Sequence, residues 1–534
     1  MSESSFNATA IPADDIATDT EQRQRWLFAA ADQLRLAGRG EAALRVLAVE
    51  IAANGRGTRH RALLLSRLAQ IAALEPPSVA LAGLRESLNQ RLDAPSRATL
   101  LAVIATVAAR TGHPDADALL RDAGTAHATS GDRSSARHLA LGRAARALSH
   151  GDLPGAHAVL TALDSDARTA RRDATSVRTE AILVQLGLGR HQDAQTATGQ
   201  AFEDTISTGT PLSGTLTALD CLRMVAVGEL PEAAALAATR LGSDSVDISQ
   251  ETRALLVTVL AEVHYRRGEH HAARAALRVC LTRRRWPDST VWTPALCVAI
   301  RDPALSEPAN LLDSIVADLH RSVRSLLPVP QFGPRLVRAA VAAGDTQAAR
   351  RVTELVALVA TRTPVPLWQA LADQTRGLLD RDPGALRSSV DGLRTTTAWP
   401  ALADALLDLA NSPLLRPAQA WDAAHEAAAL YARIGAPGDQ ATADRRCAEL
   451  AAAPRRRSSI DEPPRTGIEA LTPAEERVAE MLAAGATKKE AAGHLFVSFH
   501  TVDTQLRSIY HKLGIHNRMQ LVRAWDRHKS MISS

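Results

Sequence analysis

Glycine recurs along this 534-residue chain at a spacing too regular for one globular core. Gly112, Gly151, Gly189, Gly228 and Gly268 follow one another at intervals of 38 to 40 residues, and Gly38 and Gly344 lie two intervals beyond either end. The skipped turns are expected near Glu75-Pro76-Pro77 and near Ser306-Glu307-Pro308. Five residues after the glycine stands an alanine: Ala43, Ala156, Ala194, Ala233, Ala273 and Ala349, with Asp117 the exception between Ala116 and Ala118. A helix that packs closely on its predecessor needs a small residue at the crossing, and a glycine just before it lets the chain reverse. Flanks such as 253–281 carry apolar residues at helical rather than alternating spacing, so each period reads as a helical hairpin.

Composition supports helices throughout. Hydrophobic residues make up 46% of the chain and aromatic residues only 3%, so Ala and Leu supply the apolar surface and strand formers are scarce. The expected fold class is all-α, a solenoid of helical hairpins followed by a small helical domain. The Gly-to-Ala spacing resembles the tetratricopeptide repeat, with a slightly longer period and few of that motif's aromatic positions. A solenoid of this kind commonly binds a protein, peptide or small-molecule effector on its concave face.

The net charge of +4 singles out no partner, but its distribution divides the chain. All four lysines, Lys488, Lys489, Lys512 and Lys529, fall in the last segment, and everything upstream relies on arginine. The expected layout is a disordered N-terminus over 1–22, repeats over 23–452, a Pro- and Arg-rich linker over 453–467 and a C-terminal domain over 468–534. Cys221, Cys280, Cys297 and Cys447 form no CxxC pair, so buried free thiols are expected and neither a metal nor a cofactor is called for. No basic start followed by an apolar run opens the chain, and no stretch approaches membrane-spanning length, which predicts a cytoplasmic protein with no membrane partner.

Four short helices are signalled in quick succession from Leu471. Thr472-Pro473-Ala474-Glu475 and Thr487-Lys488-Lys489-Glu490 are capping boxes, Ser498 can cap a third helix that stops at Gly514, and Asn517 with Gln520 opens a fourth. In the third, Val502, Leu506, Ile509 and Leu513 form one apolar stripe, expected to pack on Val478, Leu482, Leu495 and Trp525. The opposite face carries His500, Asp503, Thr504, Arg507 and His511.

Residues 471–525 resemble the LuxR-type helix-turn-helix along their whole length, with matching positions that include Thr472, Glu475, Val478, Gly485, Lys489, Ala492, Thr501, Val502, Leu506, Ile509, Leu513 and Gly514. The resemblance implies a transcriptional regulator that binds double-stranded DNA, with the third helix in the major groove and domains paired through the fourth as a homodimer. On that placement Asp503, Thr504 and Arg507 face base edges, while Lys488, Lys489, Ser498, His500, Thr501, His511, Lys512 and Arg518 contact phosphates.

Three positions depart from the family pattern. Ala479 replaces a common leucine, Asp503 stands where a DNA-contacting lysine is frequent, and Gln505 replaces a histidine. Asp503 either accepts a hydrogen bond from cytosine or pairs with Arg507 one turn on. The alternative reading is therefore an interaction scaffold whose DNA affinity is weakened or lost. Large regulators of this kind often begin with an ATPase module, but no lysine precedes Lys488 to serve a phosphate-binding loop, and no catalytic motif argues for an enzyme.

Overall fold

The structure, a computed structural model, describes residues 20–37, 39–54, 58–167, 171–208, 213–242, 248–282, 293–302, 308–452, 471–495, 499–515 and 517–532. Among the described residues there are 27 α-helices and no strand. The chain divides into two compact units, Met1–Ala453 and Pro454–Ser534. The first helix, Thr20–Leu36, begins inside the segment expected to be disordered, and residues 20–22, the described part of that segment, are helical. The linker expected over 453–467 lies outside the described residues.

The periodic glycines are the turns. Gly112, Gly151, Gly189, Gly228, Gly268 and Gly344 all have φ between 66° and 91°, the left-handed conformation that a Cβ makes costly; Gly38 lies outside the described residues. In each turn the next residue donates its N–H to the carbonyl five positions back, as from His113 to Ala108 at 2.9 Å and from Glu229 to Met224 at 2.8 Å. This closes the preceding helix on its own last carbonyls. The alanines that follow (Ala43, Ala156, Ala194, Ala233, Ala273 and Ala349) are fully buried, and Ala116 takes that place in the copy where Asp117 breaks the pattern.

The turn expected at Glu75-Pro76-Pro77 is present, between the helices Thr58–Leu74 and Pro77–Ser87. Of the other expected turn, Ser306 and Glu307 lie outside the described residues, and Pro308 opens the helix Pro308–Arg321. Two further turns use the same geometry without the expected spacing or residue. Arg381 adopts φ 57° one period after Gly344, with Asp382 donating to the Gly377 carbonyl, and Gly435 follows at φ 71°.

The hairpins do more than stack on their neighbours. The turn ends of the earlier hairpins are received, in the same order, by residues 178 to 212 positions later. The Gly112 Cα faces the Arg321 carbonyl so closely that a Cβ would sit 2.2 Å from its oxygen, and Gly151, Gly189 and Gly228 face Val359, Leu367 and Ile434 in turn. Hydrogen bonds seal these seams: the Thr363 hydroxyl donates to the Gly151 carbonyl at 2.9 Å, and the Trp368 indole donates to the Gly187 carbonyl at 2.7 Å.

At one seam a cluster of charges is buried. Arg266, fully buried, donates to Glu262 at 2.6 Å, to both oxygens of Asp404 at 3.0 and 2.9 Å, and to Asp439 at 2.9 Å. Arg335 adds two bonds to Glu262 at 2.6 and 2.7 Å, and Arg301 one to Asp439 at 2.6 Å. Three arginines meet three carboxylates. Burial would raise the Glu262 pKa, but Arg335, Arg266 and Arg301 reverse that and bring it to about 2.

Candidate nucleic-acid interface

Local chemistry marks three of the four C-terminal helix starts and two of their ends. Thr472 and Glu475 cap each other reciprocally, with the Thr472 N–H donating to Glu475 at 2.7 Å and the Glu475 N–H to the Thr472 hydroxyl at 3.3 Å, at the head of Pro473–Ala483. Thr487 and Glu490 repeat the device at the second helix, Lys488–His494, after the Gly485 turn at φ 106°. The third helix, Phe499–Leu513, ends at Gly514 with φ 64°. In the fourth, Arg518–Ile532, the Gln520 N–H donates to the Asn517 side chain at 3.0 Å.

The apolar stripe of the third helix fills the core of this unit. Val502 and Ile509 are fully buried and Leu506 nearly so, against Val478, Leu482, Leu521 and Trp525, with Leu495 and Leu513 half-buried at the edge. Ala479 is also fully buried, with Met481 and Leu482 in the same cluster. Burying that stripe orients the rest of the helix outward.

The outward face carries the residues expected to read bases. Thr504 and Arg507 are exposed, and Asp503, whose side chain is 20% exposed, lies between two cations. Lys488, at the start of the second helix, places Nζ 2.5 Å from Asp503 Oδ1, and Arg507 donates to Oδ2 at 2.9 Å. The Lys488 ammonium, joined by the Arg507 guanidinium, holds the Asp503 carboxyl below its ordinary pKa. One expected base reader, Arg507, and one expected phosphate contact, Lys488, thus converge on the Asp503 carboxylate.

Other expected phosphate contacts are distributed unevenly. Lys489 is exposed beside Lys488, and Thr501 is half-buried. Ser498 lies outside the described residues, as do the side chains of His500 and His511. Lys512 faces inward, donating to Glu475 Oε2 at 2.5 Å while the Ser508 hydroxyl donates to Oε1 at 2.6 Å. Burial of Glu475 works against its charge, yet the bonds from Lys512, Ser508 and Thr472 prevail and lower its pKa to about 2. Arg518 donates twice to the Leu482 carbonyl, at 3.2 and 2.9 Å, closing the end of the first helix. Glu475 is thus a hub that joins the first and third helices of the domain, a role beyond the cap that its spacing from Thr472 predicts.

The repeat unit contains a separate concavity of about 110 Å³, where Arg110 bridges Glu251 at 2.9 Å and Glu180 at 3.5 Å and Arg324 grips Glu180 with two bonds. Leu219, Leu255 and Pro328 complete a wall that is part apolar and part charged. Among the described residues no group of His, Cys, Asp and Glu could hold a metal ion, and no helix is long and apolar enough to cross a membrane.

Residues 469–525 match the family described as bacterial regulatory proteins, luxR family. Proteins named "Putative HTH-type transcriptional regulator" from Mycobacterium bovis and from two strains of Mycobacterium tuberculosis are 32% identical to this chain over 194 residues, which is 35% of this chain and 20% of theirs. The chain therefore matches about a fifth of the length of those relatives. Among solved structures, a circular tandem repeat protein with novel repeat topology and enhanced subunit contact surfaces covers 81% of this chain and 88% of its own at 14% identity, with a TM-score of 0.13 that carries no argument. Family match, reciprocal caps and a buried stripe opposite a polar face agree on one identification: the C-terminal four-helix unit is a helix-turn-helix domain of the luxR family.

Proposed function

We propose that this chain is a sequence-specific transcriptional regulator whose third C-terminal helix enters the major groove of double-stranded DNA, with two chains paired on the site. The observation that carries this reading is the third helix itself, which packs one apolar stripe into the core and turns Thr504 and Arg507 outward, Arg507 sharing Asp503 with Lys488. Arginine at such a position can grip guanine with two hydrogen bonds, and lysines on the flanking helix suit phosphates. The concavity around Arg110 offers a place for a small effector on the repeat region.

A titration of the full chain against pooled genomic fragments over a range of salt concentrations tests this. Affinity should fall steeply with salt, and a subset of fragments should be retained at salt that releases the rest. Absence of salt-sensitive binding even at low ionic strength would refute it. A second reading, a scaffold of weakened DNA affinity, is favoured by the partial neutralisation of Lys488 and Arg507 by Asp503 and by the internal use of Lys512 and Arg518. It predicts weak binding without preference among fragments.

A further inference from the structure

We infer that Asp503 acts as an intramolecular counter-ion, occupying the place of a DNA phosphate between Lys488 and Arg507 and so limiting binding to DNA of any sequence. This rests on the DNA-binding reading above. Both carboxylate oxygens are engaged, one by each cation, from two different helices. The cluster carries a net charge of +1 where the two cations alone would carry +2. Its openness matters as much as its geometry. Arg507 keeps 81% of its side chain exposed and Lys488 41%, so a phosphate can reach either cation without unpacking the core.

Exposed ion pairs of this kind are individually weak and are traded readily for another anion. A phosphate must nevertheless compete with a carboxylate already in place, and this competition taxes every DNA sequence alike. A site whose base edges also bond Thr504 and Arg507 stays bound despite that loss, whereas random DNA, held by phosphates alone, is released. Asp503 is in this account a positioning residue that acts through its two partners and lowers affinity for all DNA, distinct from a direct reader of one base.

The test compares the full chain with Asp503→Asn, Asp503→Glu and the double variant Asp503→Asn with Lys488→Gln, on a specific fragment and on random duplex, across salt. Asp503→Asn should tighten binding to random duplex by roughly tenfold and steepen the log-log salt dependence by about one unit, as one added net positive charge requires. Asp503→Glu should restore the native slope, and the added Lys488→Gln should remove the gain. Native affinity and slope in Asp503→Asn would overturn the inference while leaving the DNA-binding reading intact. So would a loss of discrimination confined to one base pair, which marks a base reader, or a lowered melting temperature with weaker binding, which marks a purely structural role. If neither native chain nor variant binds DNA in a salt-sensitive way, both the inference and the reading it rests on fall.

Discussion

Both regions of the molecule place carboxylates between cations, and the two clusters have opposite consequences. In the repeats, Glu262, Asp404 and Asp439 surround an Arg266 with no exposed surface, joined across as many as 173 positions of sequence. In the C-terminal domain Asp503 holds an Arg507 that is 81% exposed and four positions away. Ions taken out of water must keep every partner, because removing one leaves the others desolvated and unpaired. Ions at the surface can exchange partners with water, salt or a phosphate at little cost. Burial, more than residue type, decides whether such a cluster serves as architecture or as an exchangeable contact.

The sharpest way to break this comparison is to remove the arginine from each cluster. Arg266→Met should destabilise the repeat region by about 3–5 kcal/mol, since three carboxylates around a fully buried arginine lose a shared donor. Arg507→Met should change stability by less than about 1 kcal/mol. Chemical denaturation of the full chain followed by circular dichroism measures both, and equal effects would show that burial is not the deciding variable.

Two glycines separate the turn from the seam it supports. Gly112 and Gly344 share a left-handed backbone, but a Cβ at Gly112 would meet the Arg321 carbonyl whereas one at Gly344 would meet nothing within 4 Å. Gly344→Ala should therefore cost about 1 kcal/mol of backbone strain, and Gly112→Ala that plus about 1–3 kcal/mol of overpacking. Matching melting temperatures would deny the close approach of later hairpins to earlier turns.

What the sequence made legible was local. A left-handed turn favours glycine, a close crossing favours alanine and a capping box needs two residues three apart, so the hairpin period and the starts of the first two C-terminal helices could be read directly. Arg381 could not, because a non-glycine residue in the same conformation leaves no mark. Nor could the seams: burial of one helix face reveals that something covers it, not that the cover arrives about five periods later. The same limit applied in the C-terminal domain. The pairing of Asp503 with Arg507 is a one-turn spacing and was among the expectations, whereas Lys488 reaches Asp503 from the neighbouring helix and Lys512 reaches Glu475 across 37 residues.

Acid should sharpen the contrast within the C-terminal domain. The folded-state pKa of Glu475 is about 2 against an ordinary 4.5, so its contribution to stability is complete above about 4.5 and is lost as pH falls toward 2. Lys512→Met should destabilise the domain at neutral pH and partly flatten this acid dependence, because the foremost of the donors that lower the pKa is gone while Ser508 and Thr472 remain. An unchanged acid profile in the variant, read by tryptophan fluorescence or circular dichroism, would show that Lys512 does not hold Glu475.

The smallest expected effect distinguishes two lysines that the sequence treated alike. Lys489 is exposed at the start of the second helix, while Lys512 is half-buried against Glu475. Replacing an exposed lysine that contacts phosphate removes one released counter-ion, so Lys489→Ala should weaken binding to all DNA sequences by a similar factor and flatten the salt dependence by about one unit. Lys512→Ala should leave that slope close to native, because its ammonium is already neutralised inside the domain, and should act mainly through stability. Measuring both slopes well below the melting temperature keeps unfolding from imitating weaker binding. A flattening of about one unit for Lys512→Ala would mean that this lysine leaves Glu475 for a phosphate on DNA, and that the inner ion pair of the domain is as exchangeable as the outer one.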